Sequence, residues 1–510
     1  MQRKPKYCFL LFLFLLFFSI TPLELLSQVR SKHGMVVSAN RLASDVGIEI
    51  MKKGGNAVDA AVAVGFALAV VFPEAGNIGG GGYMIIRKAD GTHTAIDFRE
   101  KAPRSAVRDI FLDSTGQVTD RIIRGCMSAG VPGTVAGLIQ ALEDYGTMKL
   151  ADVIDPAIIL AKNGFVIDEH LWNNLVEYEK DLRPFPSTVK LFFKNDSLFR
   201  KGDTLKQSDL AATLSRIQSN GIDGFYKGET ARLITDEMRR GGGLITEDDL
   251  AEYKPIIRKP LTGTYRGYEI ITMPPSSSGG LCLIEIMNII EKYNLDSLGH
   301  HSSQSVHIIS EAMKRAYADR AEYMGDPDYV AIPVDGLISK EYAALRSTTI
   351  DSFYATPSES IKAGVIREHT NTTHYSVIDS SGNCVAVTYT LNDLFGSQVV
   401  VDGAGFFLNN EMDDFSAKPG VANSYGLTGG YANSIEPGKR PLSSMAPTIV
   451  LKDGKPILIL GARGGSRIIT GVLQVILNVL DYRMDIQNSV DAPRFHHQWI
   501  PDELIYEKDC

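Results

Sequence analysis

The sequence predicts a mixed α/β protein with a large core. The chain has 510 residues and 44% apolar composition, which is enough to bury such a core as one big domain or two intertwined parts. Short apolar runs bounded by turn residues predict strands, for example 34–39, 83–87 and 92–98. The stretch 56–71 is apolar nearly all round, which predicts a helix buried between a sheet and another layer. Residues 130 to about 345 have mostly helical spacing.

The N-terminus has the order of a secretory signal. Arg3, Lys4 and Lys6 precede a Leu/Phe-rich run at 8–20, and Ser27-Gln28 offers a cleavage point. The run is too short to span a membrane comfortably, although a retained anchor is the alternative. We therefore expect 1–27 to be a removed signal peptide. The mature protein would then be exported, periplasmic or secreted, without a stable membrane span.

Charge and metal-ligand spacing exclude several classes of protein. The net charge is -8 and no long run carries one sign, so nucleic acid is not an expected partner. The cysteines that follow the signal are scattered, without a CxxC pair or zinc spacing. The pairs His300-His301 and His496-His497 have no obvious further ligand, so a structural role is favoured over a metal site. The sequence predicts no metal and no cofactor.

Three further features permit a structural or a functional interpretation. The glycine run 76–82 precedes a strand and lacks phosphate-loop spacing, so it indicates close backbone packing or the lining of a site. Arg99 ends the strand 92–98, where it is either a surface charge or a fork for a carboxylate. Gly464 and Gly465 open a helix. These two glycines either mark only the start of the helix or present free N–H groups to an oxyanion.

The segment 371–392 reads as a β-hairpin. If it folds about Ser381, Thr372 lies opposite Thr390 and close to Asn392. Taken alone, Thr372 is an ordinary residue at the start of a strand. If the chain is cut before Thr372, however, a new α-amino group with a pKa of about 7.7–8.0 adjoins the hydroxyl and can act as its base.

Long blocks of this sequence resemble the γ-glutamyltranspeptidase (γ-glutamyltransferase) family from about residue 34 to 507. They include AIDFREKAP at 95–103, EAMKRAYADRAEYMGDP at 311–327, NTTHYSVID at 371–379, LNNEMDDFSAKPG at 408–420, PLSSMAPTIV at 441–450 and GGSRIIT at 464–470. The resemblance implies an N-terminal-nucleophile hydrolase with a four-layer αββα sandwich. It also implies a precursor that cuts itself at Asn371–Thr372 into a large subunit, 28–371, and a small subunit, 372–510, intertwined in one domain.

The resemblance also implies a role for each matching residue. Thr372 matches the nucleophile, Thr390 its supporting residue, and Gly464 and Gly465 the oxyanion hole. The remaining matches concern the substrate: Arg99, Ser443 and Ser444 for its α-carboxylate, Asn392, Glu411 and Asp414 for its α-amino group, and Tyr425 in a lid loop at 416–433.

The activity implied is cleavage of γ-glutamyl amides such as glutathione, with transfer to water, amino acids or peptides. Two alternatives stay open, a related acylase for glutaryl amides and an unprocessed precursor that only binds ligand. Family members usually continue beyond the segment matching PDEL at 501–504, whereas this chain stops at Cys510. The usual C-terminal end of the sandwich is therefore expected to be missing, with one sheet edge unpaired.

Overall fold

The computed structural model describes residues 28–361, 372–421, 423, 427, 429–508 and 510. The expected signal peptide and Asn371 lie outside the described residues. The α-helices are Arg41–Lys52, Ala57–Val71, Thr134–Tyr145, Leu150–Asn163, Glu169–Glu177, Glu179–Leu182, Pro186–Phe192, Ser208–Asn220, Asp223–Tyr226, Gly228–Gly241, Glu247–Ala251, Gly279–Ile290, Leu295–Leu298, Ser303–Tyr323, Val334–Leu337, Lys340–Ser347, Arg467–Leu480 and Ile486–Asp491.

Two antiparallel sheets form the centre of the molecule. The first sheet has six strands, in the spatial order Gly34–Val37, Thr373–Asp379, Cys384–Thr390, Gly81–Arg87, His93–Phe98 and Ile256–Arg258. The second sheet has four strands, in the order Lys455–Leu460, Thr448–Lys452, Tyr268–Thr272 and Leu261–Tyr265. Three two-stranded ribbons are peripheral: Phe165–Val166 with Thr204–Leu205, Phe193–Lys194 with Ser197–Leu198, and Phe495–His496 with Ile505–Tyr506.

Alternation of side chains along the first sheet separates two hydrophobic cores. Met84 and Ile86 point into a core shared with the helices Ala57–Val71 and Thr134–Tyr145, whereas Tyr83 and Ile85 point into the other. That second core contains the second sheet and, behind it, the helices Gly279–Ile290, Ser303–Tyr323 and Arg467–Leu480. Because successive strand residues face opposite sides, each sheet face is covered, and the order of layers is helix, sheet, sheet, helix.

The helix Ala57–Val71 confirms the prediction from its uniform apolarity. All of its residues are buried. Asn56 accepts hydrogen bonds from the N–H groups of Val58 and Asp59, and Asp59 accepts one from the Asn56 N–H in return. This reciprocal cap satisfies the first turn, so a segment without a polar face can still begin as a helix inside the core. None of the helices in the described part of the chain combines the length and apolarity needed to cross a membrane.

The hairpin Thr373–Asp379 and Cys384–Thr390 has the predicted register. Thr373 pairs with Tyr389 and His374 with Thr388, so extension by one residue places Thr372 opposite Thr390. The glycine run packs against this end of the hairpin. A Cβ on Gly80 would lie 2.0 Å from the Thr390 carbonyl oxygen, and one on Gly79 would lie 2.1 Å from that of Phe407. The glycines therefore permit close backbone approach.

Candidate functional site

A narrow cleft opens at the end of this hairpin. It brings together residues that are more than three hundred positions apart in the chain. They are Arg99, Thr372, Thr390, Asn392, Glu411, Asp414, Leu427, Ser443, Ser444, Met445, Gly465 and Ile468. A hydroxyl-bearing residue at a strand start therefore shares one concave surface with an arginine, two carboxylates and two serines.

The first group in the cleft is Thr372 with its neighbours. Thr372 is buried and directly precedes its strand. Thr390 Oγ1 accepts a hydrogen bond of 2.8 Å from the Asn392 N–H, which holds Asn392 in the left-handed conformation at φ 80°. Asn392 Nδ2 donates to the Asn410 carbonyl at 3.1 Å. The amide of Asn392 is thereby oriented, and its Oδ1 accepts no hydrogen bond from a described residue.

The described lining of the cleft contains no histidine, lysine or cysteine, and its two acids, Glu411 and Asp414, pair with Arg99. His374 is nearest in sequence. Its ring contacts Thr388 Oγ1 at 2.8 Å and Ser376 Oγ at 2.9 Å. Burial lowers the pKa of His374 to about 3. A neutral imidazole held by two hydroxyls belongs to the packing of the hairpin rather than to the chemistry of the cleft.

Gly464 and Gly465 form the turn that leads into the helix Arg467–Leu480. Their φ angles are 121° and 53°, a region that favours glycine. Both carbonyls accept hydrogen bonds from the helix start, from the N–H groups of Arg467 and Ile468. The two glycine N–H groups donate to no acceptor within the described chain. Since Gly465 lines the cleft, these donors are available to an oxygen that develops negative charge there.

The cleft also contains a charge cluster of Arg99, Glu411 and Asp414, which we call the charged end. The Arg99 Nη1 atom lies 2.7 Å from Glu411 Oε2, and its Nη2 donates to Asp414 Oδ2. Neither Glu411 oxygen accepts an aligned hydrogen bond from the described residues. Burying a carboxylate without a hydrogen-bond donor is costly, so Glu411 is suited to receive a donor from a ligand.

Burial changes the protonation of this end. It raises the pKa of Glu411 well above its usual value and also raises that of Asp414, while Arg99 acts in the opposite direction. Burial likewise raises the pKa of the adjacent Glu100 to about 8, with Arg99 again opposing it. With two or three acids around one guanidinium, the charged end attracts a positive group.

Ser443 and Ser444 lie beside the charged end, and each hydroxyl group accepts a hydrogen bond but donates none to a described residue. Ser443 Oγ accepts a hydrogen bond of 3.1 Å from the Met445 N–H. Ser444 Oγ accepts one of 3.3 Å from Arg320 Nη2. Neither hydroxyl donates to an acceptor in the described part of the structure. Each hydroxyl can therefore donate a hydrogen bond to an anion in the cleft.

Most of the residues predicted from the sequence meet here. The cleft contains Thr372, Thr390, Asn392, Arg99, Glu411, Asp414, Ser443, Ser444 and Gly465, with Gly464 adjacent. Asn371 and Tyr425 lie outside the described residues, although Leu427 of the predicted lid segment reaches the lining. Sequence reasoning missed the supports behind the cleft, Ser278 and Arg320. The only available signal was that Arg320 belongs to the quoted block 311–327.

Comparison with families and curated proteins gives a consistent result. The model of the family described as gamma-glutamyltranspeptidase matches residues 43–510. The glutathione hydrolase proenzyme of Escherichia coli K12 is 51% identical over 489 residues, which cover 95% of this chain and 84% of that protein.

Comparison with solved structures extends this result to the fold. The gamma-glutamyltranspeptidase of Helicobacter pylori matches at a TM-score of 0.65 with 48% identity, covering 66% of this chain and 97% of that one. The cephalosporin acylase of Bacillus halodurans matches at a TM-score of 0.81 with 27% identity, covering 92% of this chain and 84% of that one.

Proposed function

The chain belongs to the gamma-glutamyltranspeptidase family, and we propose that it works as a self-processing γ-glutamyltransferase and glutathione hydrolase with Thr372 as nucleophile. The observation that carries the assignment of residues is the cleft itself. In it Thr372, a glycine turn with available N–H groups and a charged end that fits an amino-acid zwitterion line one surface.

Maturation begins with attack of the Thr372 hydroxyl on the carbonyl carbon of Asn371. An N-to-O acyl shift forms an ester, and water then hydrolyses it, leaving Asn371 with a carboxylate and Thr372 with a free α-amino group. The proposed subunits, 28–371 and 372–510, stay together because the first sheet takes strands from both. Thr373–Asp379 lies between Gly34–Val37 and Cys384–Thr390, and Cys384–Thr390 pairs with Gly81–Arg87.

Turnover uses the same hydroxyl on the donor. The α-amino group of Thr372 takes the hydroxyl proton, and the oxygen attacks the γ-carbonyl carbon of the donor. The N–H groups of Gly464 and Gly465 stabilise the resulting oxyanion. The ammonium returns its proton to the leaving amine, and a γ-glutamyl ester remains on Thr372. Water or the amine of an amino acid or peptide then repeats the sequence in reverse order.

The charged end recognises the donor by exchanging ion pairs. A γ-glutamyl group carries an α-carboxylate and an α-ammonium group. The hydroxyl groups of Ser443 and Ser444 donate hydrogen bonds to the carboxylate, which also pairs with Arg99, while the ammonium takes the place of Arg99 at Glu411 and Asp414. Asn392 Oδ1 offers the ammonium a further acceptor. The α-carboxylate and the α-ammonium group of the donor thus each contact groups of opposite charge. These contacts compensate the cost of removing both charges from water.

An acylase for glutaryl amides is the second candidate, favoured by the structural likeness to the cephalosporin acylase. A glutaryl group has the terminal carboxylate but no ammonium group. A bound glutaryl group would place a negative charge beside the buried Glu411 and Asp414 and would offer these acids no hydrogen-bond donor. The charged end therefore favours γ-glutamyl donors over glutaryl donors.

Two further assignments belong to the same proposal. The segment 416–433 is assigned the role of a lid, and the presence of Leu427 in the lining supports this, while Tyr425 of the same segment lies outside the described residues. Residues 1–27 direct the protein out of the cytoplasm as a signal peptide that is removed. The basic start and apolar run of that segment support export.

Denaturing gel electrophoresis with N-terminal sequencing tests the maturation step. We expect two bands, with Thr372 at the start of the smaller one. A Thr372→Ala variant should remain a single band. Thr373→Val is the matched control, because the Thr373 hydroxyl has no hydrogen-bond partner among the described residues and its loss should leave cleavage intact. A single full-length band in the wild type would establish the unprocessed precursor instead.

A pair of chromogenic donors separates the two enzyme candidates. The mature protein should release p-nitroaniline from γ-glutamyl-p-nitroanilide at least about ten times more efficiently than from glutaryl-p-nitroanilide, since one buried ion pair corresponds to a factor of that order or more. The opposite preference would assign the protein to the acylases.

A further inference from the structure

Arg320 is a buried cation that lies directly behind the carboxylate side of the cleft. It is 4% exposed and belongs to the helix Ser303–Tyr323. Its Nε donates to Ser278 Oγ at 2.8 Å and its Nη2 donates to Ser444 Oγ at 3.3 Å. Only the Ser444 hydroxyl therefore lies between the guanidinium and the cleft. None of the site residues identified from the sequence pointed to Arg320.

Arg320 has hydroxyl partners where a buried arginine normally has carboxylates. No carboxylate of the described residues lies within ion-pair distance of it. Arg315 on the same helix shows the usual arrangement, with Nη1 at 2.7 Å from Glu311 Oε2. Burial lowers the pKa of Arg320, while nearby groups that include Asp414 act in the opposite direction. A buried guanidinium without an anion in contact is costly, and the cost is reduced when an anion arrives close by.

The contacts of Arg320 also determine where two serine protons point. Because Arg320 donates to Ser444 Oγ, a lone pair of that oxygen is occupied from behind and its proton is directed elsewhere. Ser278 Oγ accepts from Arg320 and donates to the Ser443 carbonyl at 2.6 Å, and the Ser278 N–H donates to the same carbonyl at 2.8 Å. The peptide between the two serines of the site is thereby held in place.

We propose that Arg320 is a positioning residue for the donor α-carboxylate, which orients the Ser444 proton and supplies the second positive charge of that subsite besides Arg99. This inference rests on the proposed function. Arg99 is paired with two acids before the donor binds, whereas no acid of the described residues lies within ion-pair distance of Arg320, which therefore strengthens the subsite for an anion. Selection of a free carboxylate over an uncharged carboxamide is then the specific contribution of Arg320.

The test compares γ-glutamyl-p-nitroanilide with its α-carboxamide counterpart in the wild type, Arg320→Gln, Arg320→Lys and the control Arg315→Lys. For Arg320→Gln, we expect KM for the carboxylate donor to rise about ten- to hundred-fold, with kcat within a few-fold, because a hydrogen-bonded charge is lost from the subsite. The carboxamide donor should change little. Arg320→Lys keeps the charge but cannot reach both serines, so it should restore part of the preference. Arg315→Lys should leave the preference unchanged.

A preference for the carboxylate that persists in both Arg320 variants would overturn the proposal, as would an equal loss on both donors, which indicates a merely structural role. A denaturing gel monitors self-cleavage in every variant. If Arg320→Gln yields no cleaved protein, Arg320→Lys decides by the same comparison. A wild type that is cleaved but inactive on γ-glutamyl-p-nitroanilide would refute the proposed function, and the role of Arg320 with it. An active wild type with unchanged variants would refute the role of Arg320 alone.

Discussion

Two groups of buried acids in this protein have nearly the same composition and different surroundings. The charged end of the cleft combines Arg99 with Glu411 and Asp414. The second group, which we call the sealed cluster, combines Arg346 with Glu285 and Asp319 between the helices Gly279–Ile290, Ser303–Tyr323 and Lys340–Ser347. Each group has one guanidinium for two carboxyl groups, so each leaves an acid without full compensation.

The difference lies in what completes each group. In the sealed cluster, Asp319 accepts a hydrogen bond of 2.8 Å from the Tyr342 hydroxyl and forms an ion pair of 2.9 Å with Arg346. Neither Glu285 oxygen has a donor among the described residues. Burial, followed by the charge of Asp319, raises the pKa of Glu285 well above its usual value. A proton retained on Glu285 therefore completes this group, whereas a ligand ammonium can complete the group that lines the cleft. The charged end can bind a ligand because it lines an open cleft, whereas the sealed cluster is enclosed between helices and belongs to the packing of the core.

The isosteric change Asp414→Asn should have the largest effect, because it removes one of the two acids proposed to hold the ammonium. We expect kcat/KM for γ-glutamyl-p-nitroanilide to fall about 10²- to 10⁴-fold, as loss of one partner of a buried ion pair costs about 3–5 kcal/mol. Steady-state kinetics measures this. Glu285→Gln is the same chemical change in the sealed cluster and should leave kcat/KM within about two-fold. Equal losses in both variants would contradict the distinction between the two groups.

Arg99→Lys should have the next largest effect. Lysine keeps the positive charge but not the planar fork that contacts two acids and offers a carboxylate two donors. We expect KM for the γ-glutamyl donor to rise about ten- to hundred-fold. An unchanged KM, measured on self-cleaved protein, would exclude Arg99 from donor binding.

Glu285→Gln should change stability rather than activity. The raised pKa of Glu285 means that the folded protein holds a proton which the unfolded chain releases near its ordinary value of about 4.3. The stabilisation from this proton is complete below that value and is lost as pH rises towards the folded pKa.

Glutamine has no proton to lose at this position. The stability of the variant should therefore increase relative to that of the wild type as the pH rises. We expect the difference in Tm between the two proteins to shift by about 2–4 °C between pH 5 and pH 8, in favour of the variant. Thermal unfolding followed by circular dichroism measures it. A difference that is independent of pH would show that Glu285 ionises freely.

His374→Gln should have the smallest effect on the reaction. Burial lowers the pKa of His374 to about 3, so the ring stays neutral over the working range. The acid limb of kcat/KM should instead follow the α-amino group of Thr372, with an ordinary pKa of about 7.7–8.0. We expect the midpoint of that limb to stay within a few tenths of a pH unit. Loss of the limb in the variant would assign the proton transfer to His374.

Local pattern predicted the parts of the structure that depend on near neighbours. The buried helix expected from the apolar stretch 56–71 and the hairpin about Ser381 both appear in the structure, with bounds that differ by only one or two residues from the prediction. The resemblance was confirmed by the family match, and the mixed αββα architecture agrees with it. The expected signal peptide, the cleavage at Asn371 and the lid residue Tyr425 stay predictions, since they lie outside the described residues.

The sequence by itself determined which residues could carry chemistry, because a strand period or a family block is a property of adjacent positions. Only the tertiary structure decided how they combine. Arg99 contacts Asp414 across 315 positions, and Arg320 reaches Ser444 across 124. Such contacts depend on how two sheets and their helices pack, and burial then determines which charges require a ligand. That is why Thr372 was recognisable from its block, whereas Arg320 became visible only behind the cleft.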